Sequence, residues 1–211
     1  MASSLLSSVR FGSFLVYSPR GTSEISKRSQ RFTHAVKTGR PEALPLALDR
    51  LARDFDSTPL PAMLGPDVTL IPAPRSSLLV AGGLWPARLI AEALVSHGLG
   101  GTVLPILTRI EPVPKSAFQA RGERPNAKRH FETMAIEPAL TAPRITLVDD
   151  VITKGSTLLA AASRVALAFP RAEVNTFALI RTMGRVADIE RIVDPCVGTV
   201  RAVFDEAIRE P

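Results

Sequence analysis

The chain is 211 residues long, 45% hydrophobic and 22% charged, and its 26 Lys and Arg outnumber 20 Asp and Glu to give a formal net charge of +6. Those proportions are ordinary for a globular protein, the length suits one domain with a substantial core, and no apolar run approaches the roughly 20 residues that cross a bilayer. The single cysteine, Cys196, excludes an intrachain disulfide and any multi-cysteine zinc site, while the basic balance suits either nucleic acid or a ligand carrying several phosphates.

Residues 1–16 are Ser-rich and mildly apolar, but Arg10 interrupts them and no small-residue cleavage site follows. They read as a fraying end that leads into a strand at 14–17, not as a signal peptide, and the cytoplasm is the expected location. Residues 22–37 predict a helix capped by Thr22 or Ser23 and stopped by Gly39. Its apolar residues Ile25, Phe32, Ala35 and Val36 form a thin stripe on an otherwise basic surface. A second helix, about 42–55, carries Leu44, Leu48, Leu51 and Phe55 at helical spacing. Both helices are expected to cover a core, and the basic one also suits an anionic ligand or nucleic acid.

Residues 68–72 predict the first core strand, followed by Ala73-Pro74-Arg75-Ser76. Trp85-Pro86 opens a helix to about residue 97, since proline is tolerated in a first turn. Residues 102–107 read as a strand whose internal Pro105 argues for an edge position or a bulge. A basic loop over 115–129 follows, with five Lys and Arg against one acid, and 131–136 reads as short strand structure. Residues 144–148 predict the central strand, 156–168 a helix and 174–180 another buried strand. The three histidines, His34, His97 and His130, lie far apart without metal spacing and read as surface or loop residues. Strands alternating with helices predict an α/β domain with a mainly parallel sheet, which binds ligands at the carboxyl ends of its strands.

The stretch from Ile145 to Thr157 is the most informative. An apolar strand delivers Asp149 and Asp150, a turn of Thr153, Lys154, Gly155, Ser156 and Thr157 follows, and a helix begins. A helix N-terminus offers unpaired N–H groups and a partial positive charge to a phosphate. Paired acids beside it suit vicinal hydroxyls and a metal-bound polyphosphate, so the ligand class is a phosphorylated ribose. A Walker A loop would need a glycine five residues before Gly155, where Asp150 stands. The cluster Gly98-Leu99-Gly100-Gly101 follows a helix and precedes a strand, which fits a helix cap rather than a dinucleotide fingerprint.

The segment Val148-Asp149-Asp150-Val151-Ile152-Thr153-Lys154-Gly155-Ser156-Thr157 resembles the signature of the type I phosphoribosyltransferases. That resemblance implies their fold, with phosphoribosyl pyrophosphate (PRPP) and magnesium as ligands. It places Asp149 and Asp150 on the ribose hydroxyls and the metal, directly or through water. Thr153, Lys154, Gly155, Ser156 and Thr157 would surround the 5′-phosphate, with Lys154 either adding a contact or pointing outward. Pro74, Arg75 and Ser76, with Lys115, Arg121, Arg124 and Lys128, would meet the pyrophosphate. Arg75 offers forked donors for a diphosphate, and a basic loop would stabilise charge as pyrophosphate leaves. Asp149, Asp150, Arg121 and Arg124 are the implied catalytic residues.

Gln119, Arg121, Arg124, Asn126 and Phe131, with Pro72-Ala73-Pro74 and Leu179-Ile180-Arg181-Thr182, resemble the competence-protein-F branch of that family. The resemblance covers 67–182. Two features depart from it. The four-cysteine zinc ribbon of many members is impossible here, so a DNA role attributed to that ribbon does not carry over. Purine-salvage relatives have an Asp at the position of Thr153, and a threonine cannot act as that general base. The expected organisation is one domain, with 1–60 as a helical cover or hood, 67–182 as the PRPP-binding core and 183–211 as a C-terminal extension. The implied reaction transfers the phosphoribosyl group to an acceptor that the sequence does not name. The alternative is a PRPP-binding regulator or nucleic-acid accessory with little turnover, which the basic helix favours. No membrane partner is expected, and homo-oligomerisation is left open.

Overall fold

A computed structural model describes residues 5–114, 125–137, 142–184 and 186–211. Nine strands and five α-helices are described: β1 (Ser8–Tyr17), α1 (Glu24–Lys37), α2 (Ala43–Asp54), β2 (Gly65–Pro72), α3 (Pro86–Ser96), β3 (Gly100–Val103), β4 (Leu107–Arg109), α4 (Ala127–Glu132), β5 (Met134–Ile136), β6 (Arg144–Ile152), α5 (Ser156–Ala168), β7 (Glu173–Thr182), β8 (Val193–Val203) and β9 (Glu206–Glu210). Seven strands form one sheet in the order β3-β2-β6-β7-β1-β8-β9, and β4 pairs with β5 apart from it. The first five are mutually parallel, whereas β8 and β9 each run antiparallel to the preceding strand. The expected α/β architecture, a mainly parallel sheet between helices, is therefore present.

Each sheet face is covered because the central strands are apolar on both sides. Ile145 and Leu147 of β6 pack with Leu158, Leu159 and Val165 of α5. Val148 packs with Leu48 and Leu51 of α2 and with Ile90 and Leu94 of α3 on the other face. The chain leaves β2 through α3 to β3 on one side, and leaves β6 through α5 to β7 on the other. The crevice between the carboxyl ends of β2 and β6 is thus the point where connections diverge, the place where α/β sheets bind ligands.

Several expectations change. The strand at 14–17 begins at Ser8 and sits inside the sheet between β7 and β8, so part of the supposed N-terminal cover belongs to the core. Residues 102–107 are not one strand: Pro105 separates the edge strand β3 from β4, because it has no N–H for a ladder. Phe131 belongs to α4, and strand structure starts only at Met134. Ser23 caps α1 by accepting from the Ser26 amide at 3.1 Å, as expected, but the helix buries Ser26, Ser29, Thr33 and Val36 while Ile25 is 40% exposed. Hydroxyls can fill that face because the helix itself satisfies them: Ser29 donates to the Ser26 carbonyl at 2.7 Å and Thr33 to the Ser29 carbonyl at 2.8 Å. Among the described residues, no helix is long and apolar enough to cross a membrane.

Candidate functional site

The register of β6 fixes where the acids lie. Its pairing with β2 ends at Pro72 opposite Val148, and Ala73 closes it with a 2.8 Å bond to the Val148 carbonyl. Pairing with β7 continues to Ile152 opposite Arg181. Asp149 and Asp150 therefore follow the last residue that β2 covers, at the mouth of the crevice. Asp149 accepts from the Asp150 amide at 2.9 Å and Asp150 from the Val151 amide at 2.8 Å, so one oxygen of each carboxylate is tied to the backbone. Burial first, and the adjacent Asp150 carboxylate second, hold the Asp149 carboxyl well above the ordinary carboxylate range.

Beyond Ile152 the chain turns into α5 through Gly155, whose φ of +91° lies in the left-handed region. A Cβ there would also meet both Val200 methyl carbons at 2.7 Å. Glycine is thus required twice, by the backbone angle and by the strand packed beneath it. The α5 N-terminus has no side-chain cap, which leaves its first amides for a ligand. Ser156 and Thr157 stand half-exposed at that end. Thr153 shares a 3.1 Å hydrogen bond with Thr182 across the ends of β6 and β7. Thr153, Gly155, Ser156 and Thr157, with Lys37, His130, Asp149, Lys154 and Glu206, line a cleft of about 180 Å³.

The expected site residues divide accordingly. Asp149, Thr153, Lys154, Gly155, Ser156 and Thr157 come together in the cleft, and Asp150 is the next strand residue but not part of its lining. Lys154 turns to Glu206, with Nζ 3.4 Å from the carboxylate. Pro74 is buried, and the Arg75 guanidinium donates to the Leu84 carbonyl. The Ser76 carbonyl accepts from the Val113 amide at 2.8 Å. That segment borders the crevice without lining the cleft. Lys128 faces Asp205 at 3.9 Å, on the C-terminal hairpin. Lys115, Arg121 and Arg124 lie outside the described residues. Asn126 is an N-cap, accepting from the Arg129 amide at 2.8 Å, and the Phe131 ring lies 3.9 Å beneath the Arg164 guanidinium.

Four cleft residues or supports escaped the sequence reading. His130 is buried, not a surface residue. Its Nδ1 lies 3.2 Å from Nη2 of Arg109, and since a guanidinium can only donate, Nδ1 accepts and Nε2 carries the proton. Burial, with the Arg109 charge adding to it, pushes the His130 imidazole down to about 4. Arg109 also donates to the Arg75 carbonyl at 3.0 Å and to Thr133 at 2.6 Å, and burial lowers it to about 10 while the Asp149 charge acts against that shift. Lys37, in the last turn of α1, brings a cation to the cleft that favours the charged form of Asp149. Glu206 arrives from β9. Arg109 and His130 meet across 21 positions of sequence, so no local spacing reveals them.

Magnesium can be tested against the donor set. Among the described residues, no group of three or more His, Cys, Asp or Glu could hold a metal. Magnesium typically takes one or two carboxylates and completes its shell with water and substrate phosphates. The acid pair, each with one oxygen left over, fits that habit when a phosphorylated ligand supplies the rest.

No family model matches the chain. No curated protein matches it either. A solved structure with some likeness is the adenine phosphoribosyltransferase from Leishmania tarentolae, at 18% identity over 68% of this chain and 73% of that one. Its TM-score of 0.36 is too low for any inference about activity to rest on it.

Proposed function

We propose that this chain is a phosphoribosyltransferase of the type I fold, in a branch like competence protein F. It would bind PRPP with magnesium and transfer the phosphoribosyl group to an acceptor with release of pyrophosphate. The observation that carries this reading is Gly155: a left-handed glycine seated on Val200, opening an uncapped helix N-terminus beside Asp149 at the sheet's switch point. The 5′-phosphate would take the α5 amides and the hydroxyls of Thr153, Ser156 and Thr157, and the acid pair would orient the ribose hydroxyls. In the transfer, the bond from the anomeric carbon to pyrophosphate breaks with its electron pair leaving on the diphosphate, and the acceptor forms the new bond. Bound magnesium would supply positive charge to the diphosphate oxygens. The acceptor's proton would pass to water or to a carboxylate of the cleft, Asp149 or Glu206, since Thr153 cannot take it and His130, at about 4, takes it poorly.

Calorimetry with PRPP and magnesium tests the binding, and pyrophosphate release with a panel of bases and amines tests the turnover. Binding in the micromolar range with release for at least one acceptor is the expected result. If the protein does not bind PRPP, the assignment fails.

A second reading, PRPP binding without turnover coupled to nucleic acid, is favoured by the outer face of α1. Lys27 and Arg28, with Arg40 just beyond the helix, are exposed and make no salt bridge among the described residues. Oligonucleotide affinity that falls steeply with salt, together with PRPP binding but no pyrophosphate release, would select it.

A further inference from the structure

Glu206 stands where an anion is least expected in a phosphate site. The C-terminal hairpin reaches the cleft because β8 and β9, the last two strands of the sheet, also pack against α5, and β9 against α4. Val200 packs under Gly155, the Asp205 carbonyl accepts from the Ala127 amide at 2.9 Å, and Arg209 donates to the Ile152 and Thr182 carbonyls at 3.1 and 2.7 Å. These contacts fix the tip of the hairpin against the ends of β6 and β7. They deliver the Glu206 carboxylate to the rim, 3.4 Å from Lys154 Nζ, with both side chains more than half exposed at 51% and 61%.

We infer that Glu206 is a specificity-determining residue of the phosphate loop, an internal carboxylate that occupies Lys154 until a phosphate dianion displaces it. The inference rests on the phosphate-binding reading of this cleft. Three observations carry it. Lys154 is the cation within the Thr153–Thr157 turn, and its described ion pair is with Glu206. Both residues line the same cleft as the α5 N-terminus, so a phosphate seated there lies near both. An exposed pair of this kind is weak and is easily exchanged for a doubly charged ligand. A singly charged carboxylate ligand gains little from that exchange, whereas a phosphate gains a full cation. Glu206 thereby raises the charge threshold for entry and biases the loop toward phosphate.

The two roles open to Glu206 predict opposite signs. If it competes with phosphate, Glu206→Gln tightens binding. If it merely holds Lys154 in place for the ligand, Glu206→Gln weakens it. Ribose 5-phosphate is the suitable probe, because it carries the 5′-phosphate without the diphosphate, and inorganic pyrophosphate serves as a comparison ligand. Affinities are measured by calorimetry at low and at physiological salt on wild type, Glu206→Gln, Lys154→Ala and the double variant. Glu210→Gln on the same strand controls for net charge, since Glu210 pairs with Arg201 at 2.9 Å and not with the cleft.

The expected result is ribose 5-phosphate bound about two- to fivefold more tightly by Glu206→Gln at low salt, with a smaller gain at physiological salt. The gain should vanish in the Lys154→Ala background and be absent in Glu210→Gln. Unchanged or weaker binding by Glu206→Gln, with an unchanged melting temperature, overturns the inference, as does a gain that persists without Lys154. A wild type that binds ribose 5-phosphate while Glu206→Gln fails to tighten it removes this inference alone. Failure of every variant to bind any phosphate ligand removes the phosphate-site reading with it.

Discussion

Val200 lies directly under Gly155, close enough that a Cβ on the glycine would come within 2.7 Å of both valine methyl carbons. A strand from the C-terminal hairpin thus sets the shape of a turn that precedes it by 45 positions. Gly155→Ala should be destabilising for two separable reasons. The φ of +91° costs a non-glycine residue about 1–2 kcal/mol, and the contact adds a packing penalty. Adding Val200→Ala should recover the packing part and leave the backbone part, a coupling that a double-mutant cycle in urea measures. Affinity for ribose 5-phosphate should stay impaired in both variants, because the turn itself has moved.

Asp149 carries an opposition between stability and binding. Its carboxyl is held above the ordinary range, so the folded chain without ligand favours the protonated form more than the unfolded chain does. The stability this contributes is complete below the unfolded value of about 4 and is lost as pH rises through the raised folded value. Ionising Asp149 as pH rises works against the fold. Asp149→Asn should therefore melt higher than wild type at pH 7, by about 2–4 °C for each kcal/mol relieved, with the advantage shrinking toward pH 4. The same substitution, alone or with Asp150→Asn, should weaken PRPP binding by about tenfold or more, because on the proposed assignment this pair holds the ribose hydroxyls. Normal PRPP affinity in the double variant would move the ribose site elsewhere.

His130 titrates in the opposite sense. A buried imidazole held at about 4 is neutral in the folded protein, while the unfolded chain takes up a proton near 6.5. The stability it contributes is complete above 6.5 and is lost as pH falls through 4, about 3 kcal/mol at the lower limit. His130→Asn can still present an acceptor to Arg109 without titrating. The difference in unfolding free energy between wild type and His130→Asn should therefore shift toward the variant as pH drops from 7 to 4. A difference that stays flat across that window would show that His130 is not buried neutral.

The sequence made the strand-turn-helix around Asp149 legible because every signal there is local. An apolar run ends in acids, a glycine marks the turn, and a largely apolar helix follows. Proline at the start of α3 and Ser23 at the start of α1 were legible for the same reason. What lay hidden depends on distance or on rule-breaking. Arg109 and His130 join through tertiary contact alone. The buried stripe of α1 is made of hydroxyls, which hydrophobic periodicity does not register. The β8–β9 hairpin turns at Phe204-Asp205, without the Asn-Gly or Asp-Gly pair that marks such turns, and Pro195 and Gly198 interrupt the strand before it. The half of the site that depends on Val200 and Glu206 was unreadable until the packing of that hairpin against α5 was seen.

Phe204 at the tip of that hairpin has φ of +53° and is 96% exposed. A bulky residue in the left-handed region is strained, and here no burial offsets the strain. Asparagine tolerates that conformation without the extra unfolded-state freedom of glycine. Phe204→Asn should therefore stabilise the chain by about 0.5–1 kcal/mol, seen as a rise in melting temperature of about 1–4 °C. Because the tip holds the Asp205 carbonyl on α4 and Glu206 at the cleft, a firmer turn should leave ribose 5-phosphate affinity unchanged or slightly improved. A lower melting temperature would mean that the aromatic ring contributes more in the folded chain than its exposure allows, and would place a contact at the tip that the strain supports.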